Sequence, residues 1–172
     1  MLEDDLVDCG AVRFGDFTLT SGKKSRYYVD IKKASSRPDI LKRITRGFLD
    51  IGMECDKVAG MELGAVPLIV AYSLESGVQF IIIRKGEREH GTGRLIEGDI
   101  LPGERILLLE DVVTSGGSVI RAADHIIQAG GKIVGILSVV DREEGGTEKV
   151  GEIAPFHPLV TAGQLLSMTD GK

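Results

Sequence analysis

Tryptophan is absent, cysteine occurs only twice, and no apolar run approaches the roughly 18 residues that a membrane span needs. The longest such run, Ala65 to Tyr72, is less than half that length. Cys9 and Cys55 can build neither a disulfide framework nor a zinc site, which makes a reducing cytoplasm the default compartment and the two thiols small apolar fillers. The first residues, Met1-Leu2-Glu3-Asp4-Asp5, are acidic and have no apolar h-region, so no secretory signal is expected. A basic surplus is lacking too. Lys and Arg number 21 against 26 Asp and Glu, a formal net charge of −5, which argues against bulk nucleic-acid binding but leaves local anion sites open. There is no repeat of solenoid period and no low-complexity linker. What is present is a chain of 172 residues, 42% hydrophobic and 27% charged, the make-up of one folded domain over 1–172. Its 23 glycines are unusually many, which points to backbone positions that need positive φ or close ligand approach.

Leu2 to Asp8 reads as a short helix ended by Gly10, and Val12 to Asp30 as two short strands around Ser21-Gly22-Lys23. Pro38 opens a helix whose Ile40, Leu41, Ile44, Phe48 and Ile51 have helical spacing. From Lys57 the pattern alternates. Strands are expected at Lys57–Met61, Val78–Ile83, Arg105–Leu109 and Ile133–Val140. Helices are expected at Val66–Leu74 and at Ser118–Ala129, the latter with Val119, Ala123, Ile126 and Ile127 on one face. Fully apolar strands alternating with helices imply an α/β fold, a central parallel sheet flanked by helices. His125 is expected on a helix surface and His157 in a loop. Lys85 to Gly103 is polar, glycine-bearing and aperiodic, and a loop of that length in a small domain is usually functional or mobile.

The most informative stretch runs from Ile106 to Ser118, where an apolar strand ends in Glu110-Asp111 and Val112-Val113-Thr114-Ser115-Gly116-Gly117-Ser118 leads into a helix. Thr114 to Ser118 can aim backbone N–H groups and hydroxyls at one spot, at the positive end of a helix dipole, which suits a phosphomonoester. Gly116 and Gly117 let the backbone approach without a Cβ. Two carboxylates beside a phosphate repel it unless they accept hydrogen bonds from a ribose diol or hold Mg²⁺. Neither a mononucleotide P-loop nor a dinucleotide fingerprint is present. The plainer alternative is an ordinary βα turn with an exposed acidic pair.

Leu107 to Ser118 resembles the ribose-5-phosphate and diphosphate signature of the type I phosphoribosyltransferases. Four further segments resemble the orotate phosphoribosyltransferases in particular. Phe17 to Ser25 resembles their N-terminal base-site segment and Arg84 to Gly91 their mobile catalytic loop. Val139 to Gly146 resembles the strand end with the orotate-contacting arginine, and Pro158 to Thr161 their C-terminal part. The resemblance implies a fold with a small N-terminal hood over residues 1–35 and a mobile catalytic loop over 85–103. It implies transfer of ribose 5-phosphate from phosphoribosyl pyrophosphate (PRPP) to orotate, giving orotidine 5′-monophosphate and pyrophosphate, with Mg²⁺, in cytoplasmic pyrimidine biosynthesis. It also implies a homodimer whose loops cross between subunits, with no nucleic-acid or membrane partner.

Carried over residue by residue, the resemblance assigns PRPP to Arg84, Lys85, Arg88, His90, Glu110, Asp111 and the turn Val112 to Ser118. Lys85, Arg88, His90 and Asp111 would be catalytic. Orotate would meet Thr114 and Arg142, with Lys23 and Lys24 as secondary contacts. No protein ligand to the metal is implied beyond Glu110 or Asp111. A planar guanidinium at Arg142 suits the orotate carboxylate; the plainer alternative is a surface salt bridge with Glu143 or Glu144. The chain departs from the family at three lysines. Arg88 stands where bacterial members carry the catalytic lysine, Thr20 replaces another, and the Glu62–Ala65 turn has none. Arginine stays protonated and cannot act as a neutral base. Two rivals remain: a transferase for another base such as a purine, and a PRPP-sensing regulator that binds RNA or DNA.

Overall fold

The computed structural model describes residues 1–18, 22, 24–86 and 95–168. A short helix α1 (Leu2–Asp8) leads into an antiparallel hairpin of β1 (Val12–Thr18) and β2 (Lys24–Val29). Two helices follow, α2 (Ile31–Ser35) and α3 (Pro38–Asp50), the latter opening on Pro38 as its first residue, where the missing N–H costs nothing. Then come β3 (Lys57–Met61), α4 (Val66–Ser76), β4 (Gln79–Ile83), β5 (Ile96–Glu97) and β6 (Arg105–Val113). The chain closes with α5 (Gly117–Gln128), β7 (Lys132–Asp141), α6 (Gly146–Gly151), β8 (Phe156–Thr161) and α7 (Ala162–Ser167).

The main sheet has the order β5-β4-β3-β6-β7-β8 and is parallel except at β5, which pairs antiparallel with β4. Alternate side chains of the inner strands feed two cores. Val58, Leu107 and Leu109 join α1–α4 and the hairpin on one face. Ala59, Ile106, Leu108 and Ile136 join α5 on the other. Covering on both faces is what permits uniformly apolar strands. After β4 the strand order reverses, so the carboxyl ends of β3 and β6 flank the topological switch point, where open α/β sheets bind ligands.

Three expectations need correction. The strand holding Glu110 and Asp111 does not stop before them; β6 runs on to Val113 because β7 pairs with it as far as Val113↔Asp141. Ile127 is 54% exposed, since the buried stripe of α5 is Val119, Ala122, Ala123 and Ile126 and the next residue lies about 100° round the helix. His157 is on β8 rather than in a loop. Pro158 beside it disguises that strand, and is tolerated because β8 is an edge.

Candidate active site

Three turns meet at the carboxyl end of the sheet. The first follows β3 (Glu62 to Ala65), the second joins β6 to α5 (Thr114 to Gly116), and the third joins β7 to α6 (Arg142 to Gly145). Gly116 has φ +81° and is the N-cap of α5, which frees the helix's first amides to face a cavity of about 160 Å³. Glu110, Thr114, Ser115, Ser118 and Arg121 line it. The neighbouring turn packs tightly behind: a Cβ on Gly146 would overlap the Thr114 carbonyl oxygen and lie 2.8 Å from Gly116 N. Asp141 anchors that turn from a buried position. Its Oδ1 accepts from Glu143 N–H at 2.9 Å and its Oδ2 from the Thr147 hydroxyl at 2.7 Å.

Glu110 is buried, and its Oε1 accepts from the Asp111 N–H at 3.0 Å, while Asp111 Oδ1 accepts from the Val112 N–H at 2.8 Å. Burial first, and then the charge of Asp111, raise the Glu110 carboxyl well above its ordinary pKa. Asp111 reaches across to the first turn, where a Cβ on Gly64 would overlap its carboxylate. Between these groups lies a second cavity of about 240 Å³, lined by Lys32, Glu62, Gly64, Lys85, Glu110 and Asp111. Lys32 arrives from α2 on the hood side. Its amine is 3.1 Å from Asp30 Oδ1, and that bond raises its pKa, with the charge of Asp111 adding to the shift.

Arg84 and Lys85 leave β4 beside this cavity. Lys85 N–H donates to Glu62 Oε1 at 2.8 Å. Arg84 Nη1 is 3.1 Å from Glu97 Oε1 and its Nη2 3.8 Å from Glu62 Oε2, while its N–H donates to Leu95 O at 2.8 Å. The guanidinium therefore ties the outgoing limb of the 85–103 segment to the returning one. Further along that return, the Lys57 amine donates to Asp99 O at 2.7 Å and pairs with Glu104 at 3.0 Å. Arg88, His90 and Lys23 lie outside the described residues.

Arg142 follows β7 and is 8% exposed. Its N–H donates to Val113 O at 2.9 Å, which sets it beside the phosphate turn and Thr114. The guanidinium lies 4.7 Å from the Tyr27 ring centroid, close enough for a cation–π contact, and donates from Nη2 to Ser25 Oγ at 3.2 Å. Its Nε donates to Glu144 Oε1 at 2.6 Å. Lys24 lies on the exposed hairpin, bonded to the Thr18 hydroxyl at 2.9 Å. The residues of Val112–Ser118, the acidic pair, Lys85 and Arg142 are thus gathered at one end of the sheet. Sequence reading missed Ser25, Tyr27, Lys32, Gly64, Asp141 and Thr147. Ser25 and Asp141 fell inside segments that had been singled out, and Gly64 inside the Glu62–Ala65 turn noted for its missing lysine.

The family profile described as "Phosphoribosyl transferase domain" matches residues 31–153. The orotate phosphoribosyltransferase of Pyrococcus abyssi is 52% identical over 165 residues, covering 93% of this chain and 91% of that protein. That of Methanosarcina acetivorans is 52% identical over 164 residues, covering 94% and 88%. Among solved structures, the Mycobacterium tuberculosis orotate phosphoribosyltransferase in complex with PRPP aligns with a TM-score of 0.78 at 30% identity, covering 95% of this chain and 96% of that one. The Aeropyrum pernix orotate phosphoribosyltransferase shares the fold, with a TM-score of 0.84 at 24% identity over 99% of each chain.

Proposed function

We propose how the gathered side chains work in this chain, which belongs to the orotate phosphoribosyltransferase family. The reaction moves ribose 5-phosphate from PRPP to N1 of orotate: the C1–N1 bond forms, the C1–O bond breaks, and pyrophosphate leaves. Positive charge grows on the sugar and negative charge on the leaving group, so positioning and leaving-group stabilisation carry the catalysis.

The 5-phosphate sits in the amides and hydroxyls of Thr114 to Ser118, at the start of α5. Asp111 and Glu110 accept hydrogen bonds from the ribose hydroxyls, and their charge favours an oxocarbenium-like sugar. Burial and the Asp111 charge favour the protonated form of Glu110 in the empty site, and donors or a cation entering there favour its ionised form. Pyrophosphate lies toward Lys85 and Lys32 in the second cavity. Arg84, Arg88 and His90 complete the anion site from the loop. Arg142 and Thr114 receive the base, with Lys23 and Lys24 at its margin. The donor chemistry of Glu110 and Asp111 also fits Mg²⁺. Among the described residues no three His, Cys, Asp or Glu side chains converge. A bound ion would therefore be held by this pair together with pyrophosphate oxygens and water, and it supplies neutralising charge to the leaving group. A homodimer with loops crossing between subunits and a reducing cytoplasmic setting, consistent with free Cys9 and Cys55, complete the reading.

The observation that carries the residue assignment is the pairing of the Gly116-capped α5 start with the buried Glu110 and the half-buried Asp111 beside it at the sheet's switch point. The test is loss of orotate absorbance with PRPP and Mg²⁺, with adenine, hypoxanthine and uracil as controls. Consumption of orotate alone, abolished by Asp111→Asn, is the expected result. Turnover of a purine, or full activity in Asp111→Asn, would refute it.

A further inference from the structure

The Arg142 guanidinium is already paired before any base arrives. Its Nε edge holds Glu144 at 2.6 Å, its Nη2 holds Ser25, and Tyr27 covers one face. Glu144 follows a residue that is fixed at both its backbone and its side chain. Asp141 fixes Glu143 N–H, Glu143 adopts φ +55°, and its Oε2 accepts from Gly163 N–H at 2.7 Å at the start of α7. A non-glycine residue in the left-handed region is costly unless its surroundings hold it there. The turn is thus built to present Glu144 to Arg142.

We propose that Glu144 is a positioning and specificity residue: a resident carboxylate that orients Arg142 and offsets its charge, so that the pocket holds the substrate carboxylate loosely enough to release the product. The inference rests on the assignment of Arg142 to the base carboxylate. Its physical logic is a balance. A buried, unpaired guanidinium is expensive to keep in an empty pocket and would grip an anionic ligand strongly. With Glu144 at its Nε edge the pair is near neutral, and an incoming carboxylate gains direction from the fixed guanidinium but less net attraction. Orotidine 5′-monophosphate keeps that carboxylate, so whatever tightens orotate also slows product release.

Two nucleotides isolate the effect: orotidine 5′-monophosphate and uridine 5′-monophosphate, which lacks the carboxylate and is otherwise the same. Their affinities are measured by calorimetry on the full-length protein, and their ratio reports the carboxylate alone. Glu144→Gln keeps an acceptor for Nε and removes the charge. It should raise the ratio about tenfold, lower KM for orotate, lower kcat through slower release, and leave KM for PRPP unchanged. Glu144→Asp keeps the charge and should stay within about twofold of the wild-type ratio. Arg142→Ala should bring the ratio close to one. If it does so while Glu144→Gln leaves the ratio unchanged or lowers it, the role given to Glu144 is wrong and that of Arg142 stands. If Arg142→Ala leaves the ratio intact, the base assignment falls, and this inference with it.

Discussion

The Asp111 carboxylate occupies the space that a Cβ on Gly64 would need. The turn after β3 thus meets β6 with a carboxylate pressed against bare backbone, and both residues line the second cavity. Gly64→Ala should push Asp111 away from its place beside the ribose site. The fold should lose about 1–3 kcal/mol to overpacking. PRPP affinity should fall at least about tenfold, because reacting groups misplaced by an ångström lose most of their benefit. Denaturant melts and calorimetric titration with PRPP read the two effects separately.

Glu110 makes the ligand-free protein sensitive to alkali. Its folded pKa is raised above the usual 4.5, so the folded state keeps a proton that the unfolded chain releases. The associated stability is complete below pH 4.5 and disappears as pH rises through the elevated value. Glu110→Gln fixes the neutral form. Relative to wild type it should be a few degrees more stable at pH 8, with the gap closing toward pH 4.5, while PRPP binding weakens about ten- to a hundredfold. Thermal melts of both proteins across that range, without ligand, are the check. Parallel pH profiles would show that the burial of Glu110 carries no such penalty.

What the sequence made legible followed from locally complete signals. β3 was read at its observed limits, Lys57–Met61, since a strand covered on both faces is an unbroken apolar run. The phosphate turn was legible because strand, small polar turn and helix are contiguous. β8 was hidden by Pro158, which only its edge position excuses. The partners of Arg142 were hidden by distance: Ser25 is 117 residues away and was reached only through the resemblance of Phe17–Ser25 to a base-site segment, while nothing local marks Tyr27 as part of that pocket. Lys32 and Gly64 had the same difficulty, their roles being set by what the fold brings opposite them.

Arg84 offers a case in which two roles separate experimentally. Its guanidinium spans Glu97 and Glu62, and its buried Nε has no hydrogen-bond partner among the described residues. Arg84→Met should free both carboxylates and loosen the return of β5. A fall of a few degrees in Tm is expected together with a drop of about tenfold in kcat/KM for PRPP. Glu97→Gln, which leaves the arginine in place, should reproduce most of the Tm change and little of the kinetic one if Arg84 also serves the pyrophosphate. Equal kinetic losses in both variants would assign Arg84 to bracing alone.

The third turn supports the phosphate site without touching the ligand, and Gly146 is the point of contact. A side chain there would meet the Thr114 carbonyl, Gly116 N and Val113 Cγ1 together. Since two of those are backbone atoms, the clash cannot be relieved by a rotamer change. Gly146→Ala should therefore shift the Thr114–Gly116 segment and weaken every ligand that carries the 5-phosphate, PRPP and nucleotide product alike. About tenfold is expected, with orotate itself, which has no phosphate, much less affected. Gly151, at the other end of α6, has open space where its Cβ would be. Gly151→Ala on the same helix should leave all three affinities unchanged and stabilise slightly through the helix preference for alanine. Titrating PRPP, orotidine 5′-monophosphate and orotate against both variants distinguishes a phosphate cradle held from behind by α6 from a turn that keeps its shape unaided; equal behaviour of the two glycines would favour the latter.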